Sequence, residues 1–327
     1  MNRSFRVRLR SLLATLALAP ALSFAQDKFP SRPITWIVPF TPGGITDTAS
    51  RTIAKKMSET LKQSVVVENR PGAGGMVGTE VAARAPADGY TWIYGTQGTM
   101  AANLALYSKV RYDPLKDFAP VHALSETSTI MVVNASRPYK TVKELVEYAK
   151  QHPGKVNFGS AGAGTGTHLS AELFQASAGI KLTHIPYKGS SPAINDLLGG
   201  TVDVMFDYPS IVLPFIQSGK LRALATTGKD RLELLPNVPT IAESGFAMAQ
   251  ASSWSGILVP AGTPPQTVAL ISKATEEALR DPEVRKSIEP YGSMPMYGLS
   301  EAKFGSFIQA EIVKWGDVVK KSGAKLD

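Results

Sequence analysis

The stretch Ile34-Thr35-Trp36-Ile37-Val38-Pro39-Phe40-Thr41-Pro42-Gly43-Gly44-Ile45-Thr46-Asp47 decides the fold: a short apolar strand runs into a glycine-rich turn that opens a helix. A second such unit lies more than a hundred residues on, where Val156 to Phe158 feed Gly159-Ser160-Ala161-Gly162-Ala163-Gly164-Thr165-Gly166-Thr167-His168. Glycine lets the backbone turn at positive φ and lets a ligand approach the main chain closely. Each following helix offers unpaired N–H groups and the positive end of its dipole, a seat for an anion. Neither turn carries catalytic equipment. Two such seats predict two lobes facing one cleft, and capture of a small carboxylate rather than its conversion.

Outward from these units, short β-branched runs alternate with helical patterns, the signature of α/β units with largely parallel strands. Ala49, Ile53, Ala54, Met57 and Leu61 recur at helical spacing before the strand Val65 to Val67. A turn at Asn69 to Gly75 follows, with equal claims as a site lining and as a purely structural turn. Thr91 to Gly95 reads as a strand ending in Thr96-Gln97-Gly98-Thr99, and ligands of open α/β sheets collect at such strand ends. A second run begins near Thr129, with a Thr141 capping box and strands at Val156 to Phe158, Leu182 to Ile185, Val202 to Phe206 and Leu221 to Thr226. Thr263-Pro264-Pro265-Gln266 combines a capping box with proline at a helix start. Phe304, Phe307, Ile308, Ile312, Trp315, Val318 and Val319 form the apolar stripe of a long terminal helix. No low-complexity linker separates the lobes, so at least two crossing segments are expected.

Arg3, Arg6, Arg8 and Arg10, the apolar run Leu12 to Leu22 and the small residues Ser23-Phe24-Ala25 predict a cleaved secretory signal over residues 1–25. The apolar run is short of the roughly 20 residues that span a bilayer. Removing the four arginines and no acids takes the formal net charge from +8 to +4, too mild a balance for nucleic-acid binding. Cysteine is absent, which excludes a lipidated N-terminal cysteine, disulfides and thiol chemistry. The expected compartment is the periplasm.

Enzyme motifs fail one by one. The run Gly162 to Thr167 lacks the third glycine of a dinucleotide fingerprint and the lysine of a phosphate loop. There is no Gly-x-Ser-x-Gly, no His-Glu-x-x-His and no metal-ligand spacing among the four histidines. Ser300-Glu301-Ala302-Lys303 matches Ser-x-x-Lys only as the start of the terminal helix. No cofactor and no metal are expected.

The segments Phe29 to Ile34, Val38 to Gly44, Val67 to Gly75, Tyr112-Asp113-Pro114-Leu115-Lys116-Asp117-Phe118, Pro186-Tyr187-Lys188-Gly189 and Leu235-Pro236-Asn237-Val238-Pro239-Thr240 resemble those of the Bug family. These are solute-binding proteins of tripartite tricarboxylate transporters, and the resemblance runs over essentially the whole mature chain. It implies a two-lobed α/β periplasmic-binding-protein fold, type II-like with a Venus-flytrap cleft, closing on a small organic acid. The lobes would be residues 26–125 plus 228–327, and residues 126–227. Ligand contacts implied by the resemblance are Phe40, Thr41, Gly43, Gly44 and Asp47, with Ala161, Gly162, Thr165, Thr167 and His168 opposite. Gln97, Gly98 and Thr99, and the strand end at Asp207, Tyr208 and Ser210, would complete the pocket. The chain departs from the family where it has Thr41 instead of a second proline and Tyr208 instead of asparagine.

Several of these residues carry two readings. His168 is a partner for a carboxylate or a cap on its turn. Asp207 accepts hydrogen bonds from a ligand hydroxyl, amine or protonated carboxyl, or serves structurally at a strand terminus. Tyr208 stacks on the ligand or offers its hydroxyl, or is a lobe-edge aromatic. His184 reads as a core residue. The expected partners are a small organic acid, an aliphatic or aromatic dicarboxylate, and the permease subunits, with the protein a monomer. A ligand-presenting sensor and a periplasmic hydrolase are the alternatives from other classes.

Overall fold

The computed structural model describes residues 29–43, 45–187, 189–289, 292–323 and 325. The signal segment and Gly44 lie outside them. The first unit forms as its periodicity predicts: β1 (Ile34–Val38), α1 (Ile45–Leu61) and β2 (Val65–Asn69), with the strands parallel. α1 turns Ile53, Ala54, Met57 and Leu61 into the core. α2 (Met76–Ala83) leads to β3 (Thr91–Thr96), parallel to β1, and a π-turn at Gly98–Ala102 continues as α3 (Asn103–Leu106).

β4 (Phe118–Ser128) passes almost directly into β5 (Ile130–Asn134). Then come α4 (Val142–Gln151), β6 (Asn157–Ser160), α5 (Gly166–Ala178), β7 (Thr183–Pro186), α6 (Ser190–Gly199), β8 (Val204–Asp207), α7 (Pro209–Gln217) and β9 (Leu221–Thr226). The chain returns as β10 (Ser252–Pro260), α8 (Pro265–Arg280), α9 (Pro282–Ile288), β11 (Ser293–Pro295) and α10 (Glu301–Ser322).

One sheet runs β11-β4-β10-β3-β1-β2 and the other β7-β6-β8-β5-β9. Both are mixed, which corrects the expectation of largely parallel strands. β10 is antiparallel to β3 and β4, and β5 is antiparallel to β8 and β9. The cause is connectivity: a parallel pair needs a crossover element between its strands, whereas β5 and β10 enter their sheets from the other lobe. The periodicity announces neither β4 nor β10, although β4 is 11 residues long.

The lobes are joined by two crossings, Ser128–Thr129 and residues 227–251. They lie side by side: Thr129 N–H donates to Thr227 Oγ1 (3.0 Å) and Thr227 N–H to the Thr129 carbonyl (2.9 Å). Thr129 Oγ1 donates to Ser170 Oγ on α5 (3.1 Å). Gly228 fits tightly here, since a Cβ on it would sit 2.2 Å from Ser128 Oγ.

The capping signals divide. At α4 half of the box forms: Glu144 N–H donates to Thr141 Oγ1 (3.2 Å), while the Glu144 carboxylate reaches past the N-cap amide and accepts the Lys140 N–H (2.6 Å). At α8 the helix starts at Pro265, one residue after the Pro264 that a Thr263 cap would place first, and Thr263 does not cap it. Its hydroxyl donates back to the Pro260 carbonyl (2.7 Å).

α10 packs its apolar stripe under the first sheet, with Phe304, Ile308, Trp315, Val318 and Val319 buried, and against Leu169 and Leu173 of α5. Glu311 falls on that same stripe. It is buried because its Oε2 accepts the indole N–H groups of Trp254 and Trp315, each at 2.8 Å. Glu311→Ala strands both donors, and each buried unpaired donor costs about 1–3 kcal/mol. We therefore expect urea unfolding to show a loss of about 2–6 kcal/mol for Glu311→Ala and less than half of that for Glu311→Gln, which keeps the carbonyl acceptor.

Candidate functional site

Between the sheets lies a cavity of about 290 Å³. The first glycine turn reaches it through Phe40, and the first turn of α1 through Thr46 and Ala49. Gly43 has φ +82°, which explains a glycine there, but Gly43 and Thr41 face solvent. Asp47 works behind the turn: its carboxylate accepts the Gly43 N–H (2.9 Å) and pairs with Arg51 (3.0 Å). Burial pushes this carboxyl up, and the hydrogen bonds from Arg51, Gly43 and Asn69 outweigh it, leaving it below the usual range. Arg51 also donates to Asn69 Oδ1 (2.9 Å), and Asn69 Nδ2 to the Phe40 carbonyl (3.1 Å). The turn is thus held from its outer side.

The second turn is built the same way. Ala161, Ala163, Gly164, Thr165 and Gly166 line the cavity, while Gly162, Thr167 and His168 do not. Thr167 Oγ1 accepts the Ala161 N–H (2.9 Å) and donates to Thr165 Oγ1 (2.8 Å), which in turn donates to the Gly162 carbonyl (2.6 Å). Gly162 N–H donates to Ser160 Oγ (3.2 Å). Gly164 N–H donates to Nδ1 of the buried His168 (3.2 Å), whose Nε2 faces Glu172 at 3.5 Å. Thr165 is the N-cap of α5 but its hydroxyl is spent on the turn. The first-turn amides of α5 are therefore left without a side-chain cap, at an N-terminus whose Thr165 and Gly166 line the cavity.

Behind this turn His184 stacks between Phe158 and His168, with its Nε2 2.7 Å from Ser160 Oγ. It is half-buried and satisfied. Burial, with His168 adding to the effect, pushes its pKa down to about 4, so it is neutral at ordinary pH.

Gln97 and Gly98 line the cavity, and Gln97 Nε2 donates to the Ser252 carbonyl (3.2 Å). Thr99 is buried beneath them, with its hydroxyl on Thr96 N–H (3.0 Å). At the end of β8, Tyr208 lines the cavity and donates across the lobes to Ser253 Oγ (3.0 Å). Burial pushes its phenol up to about 12. Gly166 is pressed against this pair: a Cβ there would lie 2.0 Å from Ser253 Oγ and 2.4 Å from Tyr208 Oη. Asp207 is fully buried, its Oδ1 accepting from Ser190 Oγ (2.9 Å) and Tyr208 N–H (2.8 Å). Its Oδ2 and the hydroxyl of Ser210 are buried without a hydrogen-bond partner.

The remaining wall comes from residues the sequence reading does not single out: Tyr94, Ser125, Thr127, Ser253, Trp254, Ser255 and Ser293 from the first sheet, and Ser287 and Ile288 from the end of α9. A signal exists for them. Along β10, Ser253, Ser255, Ile257 and Val259 share one face, hydroxyl-bearing in the cleft and apolar under α8. Gly74 also lines the cavity, so its turn contributes to the wall. Among the described residues no charged side chain lines the cavity, and no group of histidine and carboxylate side chains could hold a metal. The arrangement suits an anion held by helix N-termini and neutral donors.

Residues 49–324 match the model of the tripartite tricarboxylate transporter family receptor. Protein BugT of Bordetella pertussis is 39% identical over 315 residues, covering 96% of each chain. Among solved structures, R. palustris Rpa4515 with adipate is 36% identical with a TM-score of 0.79, over 91% of this chain and 100% of that one. MatC from Rhodopseudomonas palustris with bound malate is 35% identical with a TM-score of 0.77, over 89% and 100%. This chain belongs to the tripartite tricarboxylate transporter receptor family, whose members are binding proteins and not enzymes.

Asp207 supplies a test of the site's electrostatics. Burial raises its carboxyl from 3.8 to about 6, against the pull of Ser190 and the Tyr208 amide. The folded state thus favours the protonated form. Its contribution to stability is full below pH 3.8 and is lost as pH rises through about 6, a relative loss of about 3 kcal/mol. Urea unfolding across pH 4 to 7 should therefore show wild type losing stability relative to Asp207→Asn, and parallel profiles would contradict this burial.

Proposed function

We propose that this chain is a periplasmic solute-binding protein that captures a small carboxylate, a dicarboxylate of aliphatic or aromatic kind, and delivers it to the membrane subunits of a tripartite tricarboxylate transporter. In this reading residues 1–25 are a cleaved export signal, and the mature protein works as a monomer. The lobe boundaries would fall at the two crossings, a little beyond the 125/126 and 227/228 expected from the sequence, because β4 runs on to Ser128 and Ile241 and Ala249 pack with the second sheet.

The observation that carries the reading is the meeting of α1 and α5, both N-terminus first, at one cavity with no charged side chain among the described residues of its lining. A helix N-terminus is worth most to an anion where water is excluded. The carboxylate would rest on the first-turn amides of α5 and against Phe40 and Thr46. Gln97, Gly98 and Tyr208 would bound the rest of the ligand. Gly43, Gly162, Thr167, His168, Asp47, Thr99 and Asp207 would act by holding the turns and strand ends in place, and Thr41 and Ser210 would have no part in the pocket. Adipate and malate, bound by the two solved relatives, are the first acids to try.

Thermal unfolding with either acid at about a hundred times its Kd should show about 2.7 kcal/mol of added stability. Silence from both, and from a wider panel of organic acids, would overturn the reading. Gly166→Ala should weaken binding by at least about tenfold in isothermal titration, with circular dichroism unchanged, because its Cβ displaces the Tyr208–Ser253 contact. Unchanged affinity would remove the N-terminus of α5 from the site.

A further inference from the structure

At Tyr208 the two lobes touch across the cavity. Its phenol O–H, at the end of β8 in one sheet, donates to Ser253 Oγ on β10 in the other, at 3.0 Å. Both residues line the cavity, and both stand beside the crossings. Ser253 lies two residues beyond Ala251, whose N–H donates to the Thr227 carbonyl (2.9 Å), and Tyr208 follows Asp207, the partner of Ile130 at the start of β5. Glycines bring the backbones together around the pair. Besides Gly166, a Cβ on Gly98 of the first lobe would lie 3.4 Å from the Gly164 carbonyl of the second, and one on Gly292 would lie 2.5 Å from Pro209 Cγ.

A phenol has one hydrogen to give. Burial keeps that of Tyr208 in place, and Ser253 receives it, so the phenol oxygen presents only lone pairs to the cavity. A carboxylate also presents only lone pairs, and the two cannot bond while the Ser253 contact stands. The phenol is therefore placed to bind the opposite lobe rather than the acid group of a ligand. A hydroxyl–hydroxyl hydrogen bond spans about 2.5–3.0 Å. This one is already at the long end of that range, and parting the lobes by about 1 Å here breaks it.

We propose that the Tyr208–Ser253 hydrogen bond is a closing contact made by the protein alone: it favours the closed cleft with or without ligand, and so raises the affinity for every acid by the same factor. The proposal rests on the two-lobed carboxylate-capture reading above. A larger population of the binding-competent state lowers the apparent Kd in proportion, whatever the ligand. The net worth of one hydrogen bond between neutral groups corresponds to about a two- to tenfold change. Tyr208 is then a positioning residue that sets affinity, and the choice among acids falls to other residues of the lining.

The chain contains no cysteine, so spin labels on Thr48→Cys and Asn195→Cys, at exposed positions of α1 and α6, report the separation of the lobes. Without ligand, Tyr208→Phe should shrink the short-distance population about two- to tenfold. Identical distance distributions would overturn the proposal. In isothermal titration with malate and with adipate, Tyr208→Phe should weaken both acids by one common factor in the same range. Ser253→Ala and the double variant complete a cycle. Because one bond is lost in all three variants, the double variant should bind within about twofold of the weaker single variant. A loss confined to one acid, or single losses that multiply in the double variant, would overturn the proposal and leave carboxylate capture standing. Silence of the wild type toward both acids, with the spin-label shift present, would count against carboxylate capture and leave the closing contact standing.

Discussion

The two crossing segments hold everything else in place. Around Thr129 and Thr227 the chain passes between lobes twice, and the passages bind each other through both main-chain and side-chain groups. Ser170 joins them, so the middle of α5 is tied to the crossings and its N-terminus is aimed at the wall of the first sheet. Buried hydroxyl hydrogen bonds contribute only about 1 kcal/mol each, so the tie sets geometry more than it adds stability. The heavier contribution is apolar, from Leu169 and Leu173 against α10. Helix α5 thus belongs by connectivity to the second sheet and by packing to both lobes.

A cavity whose described lining carries no cation, offered to an anion as proposed above, has a clear physical logic. An arginine in the lining would be a buried, uncompensated charge whenever the site was empty, at a cost of several kcal/mol. Helix N-termini and hydroxyls carry no such penalty. The ionisable groups nearest the site are placed behind its surface, where each holds a piece of backbone: Asp47 and Arg51 brace the first turn, His168 braces the second, and Asp207 fastens the start of α7. Glu311 does the same for two tryptophans deeper in the core.

This division also explains why the pocket differs in composition from the motifs that announce it. In each glycine turn, side chains of the following helix occupy part of the turn's own amides. Thr167 takes the Ala161 N–H and His168 the Gly164 N–H. The glycines are needed for the backbone path, and the free donors are those of the helix that comes after.

What the amino-acid sequence determined by itself was local: the strand, turn and helix from Ile34 to Leu61 and from Asn157 to Ala178, the start of α8 and the apolar stripe of α10. Glycine torsions, proline geometry and helical period act over a few residues, so they can be read without the rest of the chain. The tertiary structure alone decided the mixed sheets, the turning of Asp47, Thr99, Thr167 and His168 away from the cavity, and the hydroxyl wall. Ser125 and Ser255 are 130 residues apart, and only the antiparallel register of β4 and β10 brings them together. Register is set by the whole of both faces and by the crossings that deliver the strands, and no local pattern contains that information.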